Sequence, residues 1–488
     1  MTPAGPSAPE VSRLPIKPRL KRKFIPMEER RTTFREVSHG FGREEAIEEA
    51  KRCLQCKKPP CVDACPAHAP VMDYVRAAAQ GNFDLAYRIN REALTVPCSL
   101  GHVCPAFCER QCTLGKKGEP IAIRDIKRAA CDYGAHWTPP VAPDNGKRVA
   151  VVGAGPAGLT VANDLRRKGY AVTVFDRLAV AGGTLVAGIP TFRLPREVFK
   201  NDLDQLLAMG VELELGTDMG KDRAIADLFK LGYHAVFIGV GAMEPKRLGI
   251  EGEDLKGVAS ASDVLAKLAM GEHVDLPQHI SIIGCGNVAV DIARSSLRLG
   301  KEPTILYRRT LKEAPANEEE IHEAEEEGVK FHFLVAPTRI LGEGGRVTGV
   351  ECLRMQLGEP DASGRARPVP IAGSEFVVPT EMVIPAVSQE PQMGWLRPED
   401  GIELTKWSSV KVDEATGMST RPGVFAGGDA VLGPATVVQA IVQGHVAADG
   451  IHRYLLPEQW ESERKAKEET AAKAAAAAAA EAAAQKKK

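Results

Sequence analysis

The sequence predicts an α/β protein in which a small α-helical module precedes two Rossmann-like dinucleotide-binding units. Three observations predict it. Eight of the eleven cysteines lie between positions 53 and 112, in two groups of four. The run Gly153-Ala154-Gly155-Pro156-Ala157-Gly158 follows an apolar strand and opens a helix. Gly284-Cys285-Gly286-Asn287-Val288-Ala289 repeats that arrangement 131 residues later.

The 488 residues suffice for roughly two to four domains. A formal net charge of −1 gives no global field toward nucleic acid or anionic lipid. Aromatic residues make up 5% of the chain, which argues against a base-stacking platform. No apolar run reaches about 18 residues, so no membrane span is expected. The first residues are Pro-rich and then basic, without the apolar stretch of a signal peptide, and the prolines disfavour a transit peptide. Clustered cysteines in such a chain indicate metal or redox chemistry in a reducing compartment, so the cytoplasm is expected.

Residues 1–25 are expected to form an extended arm. Its run Arg19-Leu20-Lys21-Arg22-Lys23 is a solvated basic stretch or a contact for phosphate or an acidic partner. Residues 26–145 form the helical module, with helical patterns over 43–55 and 71–91 and the cysteines in the loops. The first group is Cys53, Cys56, Cys61 and Cys65, followed by Pro66; the second is Cys98, Cys104, Cys108 and Cys112. The first resembles a loosened ferredoxin run, in which the fourth cysteine ligates the other cluster. Zinc is the rival occupant, but zinc carries no electrons. Eight thiolates beside nucleotide motifs favour two [4Fe–4S] clusters. The flanking His68 and His102 are read as surface or packing residues. A Pro- and Gly-rich loop over 138–146 closes the module.

In the first glycine run, Gly153 allows the tight turn, Gly155 admits the pyrophosphate and Gly158 lets helix pack on strand. The phosphates then face the positive end of the helix that Pro156 and Ala157 begin. The next strand ends at Asp176, 23 residues on, where a carboxylate accepts ribose hydroxyls. Far downstream, Gly427-Gly428-Asp429 ends another strand, and a helix follows from Thr436 and Val437. Such an aspartate suits the ribityl and phosphate region of FAD, and the helix N-terminus suits the charge that builds on a reduced flavin. Gly183 and Leu185 complete this candidate FAD set.

The second unit takes its nucleotide on Gly284, Gly286, Asn287 and Val288. Its next strand ends in Arg308-Arg309, where an NAD site often carries an acid. Two guanidiniums there bind a 2′-phosphate, so NADP(H) is expected over NAD(H). Cys285 is read as a small residue filling a tight turn. No dithiol pair lies near either glycine run, against a disulfide relay.

These motifs, with segments 52–66, 102–123, 188–195, 282–300 and 427–441, resemble the small (beta) subunit family of NADPH-dependent glutamate synthase. Relatives of that family include the large subunit of NADH-dependent ferredoxin:NADP oxidoreductase and the N-terminal half of dihydropyrimidine dehydrogenase. The resemblance implies a helical two-[4Fe–4S] domain and an FAD domain, 146–273 and 387–457, interrupted by an NADP(H) domain, 274–386. It leaves 458–488 as a mobile Ala/Glu/Lys-rich tail. It implies that Cys53, Cys56, Cys61 and Cys112 hold one cluster and that Cys65, Cys104 and Cys108 serve the other. The family's fourth ligand to the second cluster matches Lys127, whose ammonium cannot bind iron, so Cys98 is the expected eighth ligand and Asp125 the outsider. Arg193 is expected near the isoalloxazine ring. No dissociable catalytic side chain is expected, because hydride transfer to flavin needs positioning above all.

Electrons would pass between NADP(H) and a large partner subunit, that of glutamate synthase, or ferredoxin. A 2-oxoacid:ferredoxin oxidoreductase or a hydrogenase is the alternative setting. A zinc-stabilised nucleotide sensor is the reading from a different class.

Overall fold

The computed structural model describes residues 17–361, 364–466 and 469–470. Residues 1–16 of the expected arm and most of the expected tail lie outside this set.

The helical module comes first. Alanine-rich faces pack its helices Arg43–Ala50, Val71–Ala79, Phe83–Ala93, Pro97–Val103 and Ile123–Tyr133 around Phe41, Tyr74, Phe83 and Ile126. The last two cross closely. A Cβ on Gly101 would lie 2.9 Å from the Cα of Arg128, so glycine sets that approach. The arm is not a free solvated stretch. Lys23–Phe24 pairs antiparallel with Ser38–His39, Arg19 meets Glu109 at 2.7 Å, and Arg22 meets Asp125 at 2.6 Å.

The unit in which FAD is expected is a five-stranded parallel sheet in the order Val424–Ala426, Ala235–Ile238, Arg148–Val152, Ala171–Asp176, Glu212–Leu215. Its inner strands are runs of Val, Ala, Ile and Phe because both faces are covered. One edge strand comes from position 424, so the sheet is completed only after an inserted unit returns the chain. That unit has its own parallel sheet, in the order Lys330–Phe333, Glu302–Tyr307, His279–Ile283, Met382–Pro385. The two crossings pair as Glu244–Pro245 with Gln389–Glu390. The helix Ala261–Ala269 packs in the inserted unit's core, so the insertion begins near 245 rather than at the expected 274.

An antiparallel sheet absent from the sequence reading also belongs to the insert. The strands Val335–Glu343 and Arg346–Pro360 form a hairpin. Gly344 and Gly345, at φ 59° and 79°, supply its primed turn.

The helix Val437–Leu455 packs on Pro156–Arg167 and closes the FAD unit. Residues 457–466 are helical, although the mobile tail was expected from 458, and Trp460 Nε1 donates to Asp449 Oδ2 at 2.9 Å. Among the described residues no helix is long and apolar enough to cross a membrane.

Candidate functional site

The first glycine loop is shaped by what it excludes. Gly153 adopts φ 108°, and a Cβ there would lie 2.3 Å from the carbonyl oxygen of Gly239. A Cβ on Gly158 would lie 1.9 Å from the oxygen of Gly153. No side chain fits either place, so strand, turn and helix close as a dinucleotide loop requires. Gly155 precedes the Pro156–Arg167 helix, with only Gly183 Cα, at 4.0 Å, near its Cβ direction. Leu185 is fully buried next to this turn. Asp176 accepts the N–H of Ala154 (2.7 Å) and of Leu178 (2.8 Å), which ties it to the glycine loop, and burial raises its pKa.

The C-terminal segment meets this loop in space. A Cβ on Gly428 would lie 2.8 Å from that of Ala157. Burial raises the Asp429 carboxyl to about 6; its Oδ1 accepts the N–H of Ala435 at 3.2 Å. Oδ2 has no protein donor among the described residues, which suits a ligand hydroxyl. Thr436 caps the Val437–Leu455 helix, its hydroxyl donating to Gln439 Oε1 at 2.7 Å. This cradle fits FAD.

Arg193, expected near the isoalloxazine ring, is held by carboxylates of the inserted unit. Its guanidinium lies 2.7 and 2.6 Å from the two carboxylate oxygens of Asp291 and also bonds Glu320. Burial opposes its charge, but these carboxylates raise its pKa. It joins the first nucleotide unit to the inserted one.

The second loop repeats the exclusion. Gly284 adopts φ 123°, and a Cβ there would lie 2.4 Å from the oxygen of Ala386. Gly286 precedes the Asn287–Arg298 helix, in which Val288 follows, and Asn287 Oδ1 accepts the N–H of Asn317 at 3.1 Å. Cys285 is a buried filler whose thiol is pushed up to about 12 by burial. The two arginines part company. Arg308 is exposed. Arg309 is buried, donating to Ala366 O and Asp361 Oδ2, each at 2.8 Å. A 2′-phosphate would therefore find Arg308 but not Arg309.

The structure brings seven of the eight cysteines into two neighbourhoods and sets Cys98 apart. Cys53, Cys56, Cys61 and Cys112 line one apolar cavity together with Val71 and Ile123. Burial, then Cys53 and Cys112, push the Cys61 thiol up to about 11. Cys108 is pushed well above the ordinary range by burial and by Cys104, with Cys65 also adjacent and Lys127 opposing. Four thiols around one apolar cavity are the donor set that a [4Fe–4S] cluster takes.

Cys98 is elsewhere. It starts the Pro97–Val103 helix and packs with Tyr87 and Cys131. Its backbone N–H donates to Asp202 Oδ1 at 3.1 Å, where Ser99 also binds the same carboxylate. A helix N-terminus pinned by Asp202 turns the Cys98 side chain to Cys131, away from Cys104 and Cys108. Asp125, the outsider, is taken by Arg22. Lys127 makes no hydrogen bond or ion pair among the described residues and faces Cys108 and Cys131. His102 packs as expected, with Nδ1 3.0 Å from Cys98 O.

Tyr74 was not foreseen. Burial and the thiols of both sets, Cys108, Cys65, Cys104 and Cys61, raise its hydroxyl pKa well above the usual value. It stands between the two sets, and its only sequence signal was an aromatic on the apolar face of a helix.

Comparison with known proteins now bears on this geometry. The pyridine nucleotide-disulphide oxidoreductase family matches residues 147–444, and the dihydropyrimidine dehydrogenase domain II, 4Fe-4S cluster family matches 30–138. The glutamate synthase [NADPH] small chain of Escherichia coli is 37% identical, over 88% of this chain and 96% of that one. The chain belongs to the glutamate synthase small-chain family. The two matched families account for the nucleotide-binding units and for the cysteine-rich module that the geometry displays.

Two longer relatives are 41% identical over 81% of this chain. They are the NADP(+)-dependent formate dehydrogenase subunit beta of Moorella thermoacetica and the NADPH-Fe(3+) oxidoreductase subunit beta of Geobacter sulfurreducens. This chain spans 60% and 63% of their lengths. The fold of Mycobacterium tuberculosis FprA in complex with NADPH matches with a TM-score of 0.56 at 18% identity, covering 66% of this chain and 86% of that one.

Proposed function

We propose that the chain is the electron-input subunit of a larger oxidoreductase, exchanging electrons between NADP(H) and a partner protein. One observation carries this reading. Cys65 and Cys104 pack in the same apolar cluster as Leu185 and Val438 of the FAD unit, whereas Cys53, Cys61 and Cys112 border the module's own core, into which Cys108 reaches. The set nearer the flavin and the set facing outward are thus in series, with Tyr74 between them. Bound FAD supplies the conversion between hydride and single electrons.

The chain's own residues bind and orient. Gly153, Gly155 and Gly158 admit the FAD pyrophosphate, Asp176 and Asp429 accept its hydroxyls, and the Val437–Leu455 helix presents its N-terminus. Gly284, Gly286 and Asn287 receive NADP(H), with Arg308 for its 2′-phosphate. Cys53, Cys56, Cys61 and Cys112 hold one [4Fe–4S] cluster. Cys65, Cys104 and Cys108 give the second three thiolates, with the cation of Lys127 beside it. No side chain acts as acid or base.

The partner is a large catalytic subunit of the glutamate synthase kind or of a ferredoxin- or formate-linked oxidoreductase, in a hetero-oligomer. The formate dehydrogenase and Fe(3+) oxidoreductase beta subunits support the second class through their higher identity. Cytoplasmic location is supported by cysteines that are all unpaired. Anaerobically purified protein is expected to hold roughly eight irons and one FAD, and to reduce a viologen dye from NADPH. A preparation holding zinc alone, or no NADPH-dependent reduction, overturns the reading.

A further inference from the structure

We propose that the iron–sulfur module closes the adenosine end of the NADP(H) site, with Arg110 joining Lys312 in selecting the 2′-phosphate; this rests on the NADP(H) reading above. A cavity of about 780 Å³ lies between the two units. Arg19, Pro105 and Arg110 of the module form one wall, and Thr310, Lys312 and Asn317 of the inserted unit form the other. The second wall leaves the end of the Glu302–Tyr307 strand, where a Rossmann unit presents its residues to the adenosine ribose. That wall also joins the glycine loop. Asn317 donates its N–H to Asn287 Oδ1 at 3.1 Å, and the Cβ direction of Gly286 meets Pro315 Cγ at 3.9 Å.

The charges around the cavity are mostly spent. Arg19 is paired with Glu109 at 2.7 Å and Arg124 with Glu319 at 2.8 Å. Arg309, on the same strand end, is paired with Asp361 at 2.8 Å. Arg110 and Lys312 are exposed and form no ion pair among the described residues; Arg110 only stacks over the Phe107 ring. Against them on the cavity wall stands Glu318. A phosphate monoester carries about −1.5 to −2 charges near pH 7 and takes several charge-assisted hydrogen bonds. With Arg309 occupied, the two unspent cations supply what Arg308 alone does not. Because they sit on different units, a 2′-phosphate ties the cluster module to the nucleotide unit, and a nucleotide without it does not.

The test is calorimetric titration of the full-length, flavin- and cluster-loaded protein with 2′,5′-ADP and with 5′-AMP. Arg110→Ala and Lys312→Ala are each expected to weaken 2′,5′-ADP about tenfold and leave 5′-AMP unchanged, with unaltered iron and FAD content. Arg110→Lys should recover part of the loss. Unchanged 2′,5′-ADP affinity in Arg110→Ala, or equal weakening of both ligands, overturns the proposal while leaving the NADP(H) reading intact. Equal affinity of the unsubstituted protein for the two ligands overturns both.

Discussion

One terminal nitrogen of Arg193 lies 2.7 and 2.6 Å from the two carboxylate oxygens of Asp291, and both side chains are nearly buried. Arg193 belongs to the FAD unit and Asp291 to the Asn287–Arg298 helix of the inserted unit. The pair therefore clamps one nucleotide-binding unit to the other, one turn beyond Asn287. Removing one member of a buried pair strands the other charge, at a cost of about 3–5 kcal/mol. Arg193→Ala is expected to lower the thermal midpoint strongly while the purified protein keeps its FAD. Flavin loss at unchanged stability would instead restore Arg193 to the flavin.

Cys98→Ser is expected to leave both clusters intact, because its side chain faces Cys131 and its N–H holds Asp202. Cys108→Ser should lose one cluster. Iron and labile-sulfide analysis with low-temperature EPR separates the two outcomes. Selective loss of a cluster in Cys98→Ser would return it to the ligand set.

The neighbouring arginines should behave differently. Arg308→Ala is expected to raise the KM for NADPH roughly tenfold with little change for NADH. Arg309→Ala should act on stability, since its guanidinium fastens the strand end to Ala366 and Asp361. Steady-state kinetics with both nucleotides, beside thermal melts, test this. A purely kinetic Arg309 effect would contradict it.

What was legible in the sequence is what local sterics enforce. Gly153, Gly158 and Gly284 stand where a Cβ has no room, so their spacing alone announced two nucleotide units. Residues whose role depends on a distant partner were not legible. Nothing local in Phe192-Arg193-Leu194 points to Asp291, and nothing near Arg309 points to Asp361. Cys98 was misread for the same reason: cysteine spacing carries no word of Asp202, which fixes its helix. The insert's hairpin did carry a signal, Gly344-Gly345 between alternating strands. The insertion boundary had none, because Glu244–Pro245 and Gln389–Glu390 are too short for periodicity.

The last prediction concerns acid. Glu327 is fully buried and receives Arg294 at 3.0 and 2.7 Å and Arg298 at 2.8 and 3.0 Å, with Arg30 of the helical module at 3.3 Å. Burial opposes its ionisation, but the hydrogen bonds from Arg294 and Arg298 prevail and hold its pKa down at about 2, against an ordinary 4.5. A depressed carboxylate stabilises the fold above its unfolded pKa and loses that contribution as pH falls through the folded one. The contribution is about 3 kcal/mol near neutrality, lost progressively between roughly pH 4.5 and 2. Glu327→Gln removes this acid-sensitive component, takes from Arg298 its carboxylate partner, and leaves Arg294 to Glu323 and Arg30 to Glu326. The variant should melt well below the unsubstituted protein at pH 7, and the gap should narrow as pH is lowered from 4.5. Thermal melts of both proteins across that range measure it, and a gap that stays constant with pH would show that Glu327 is not the group being titrated.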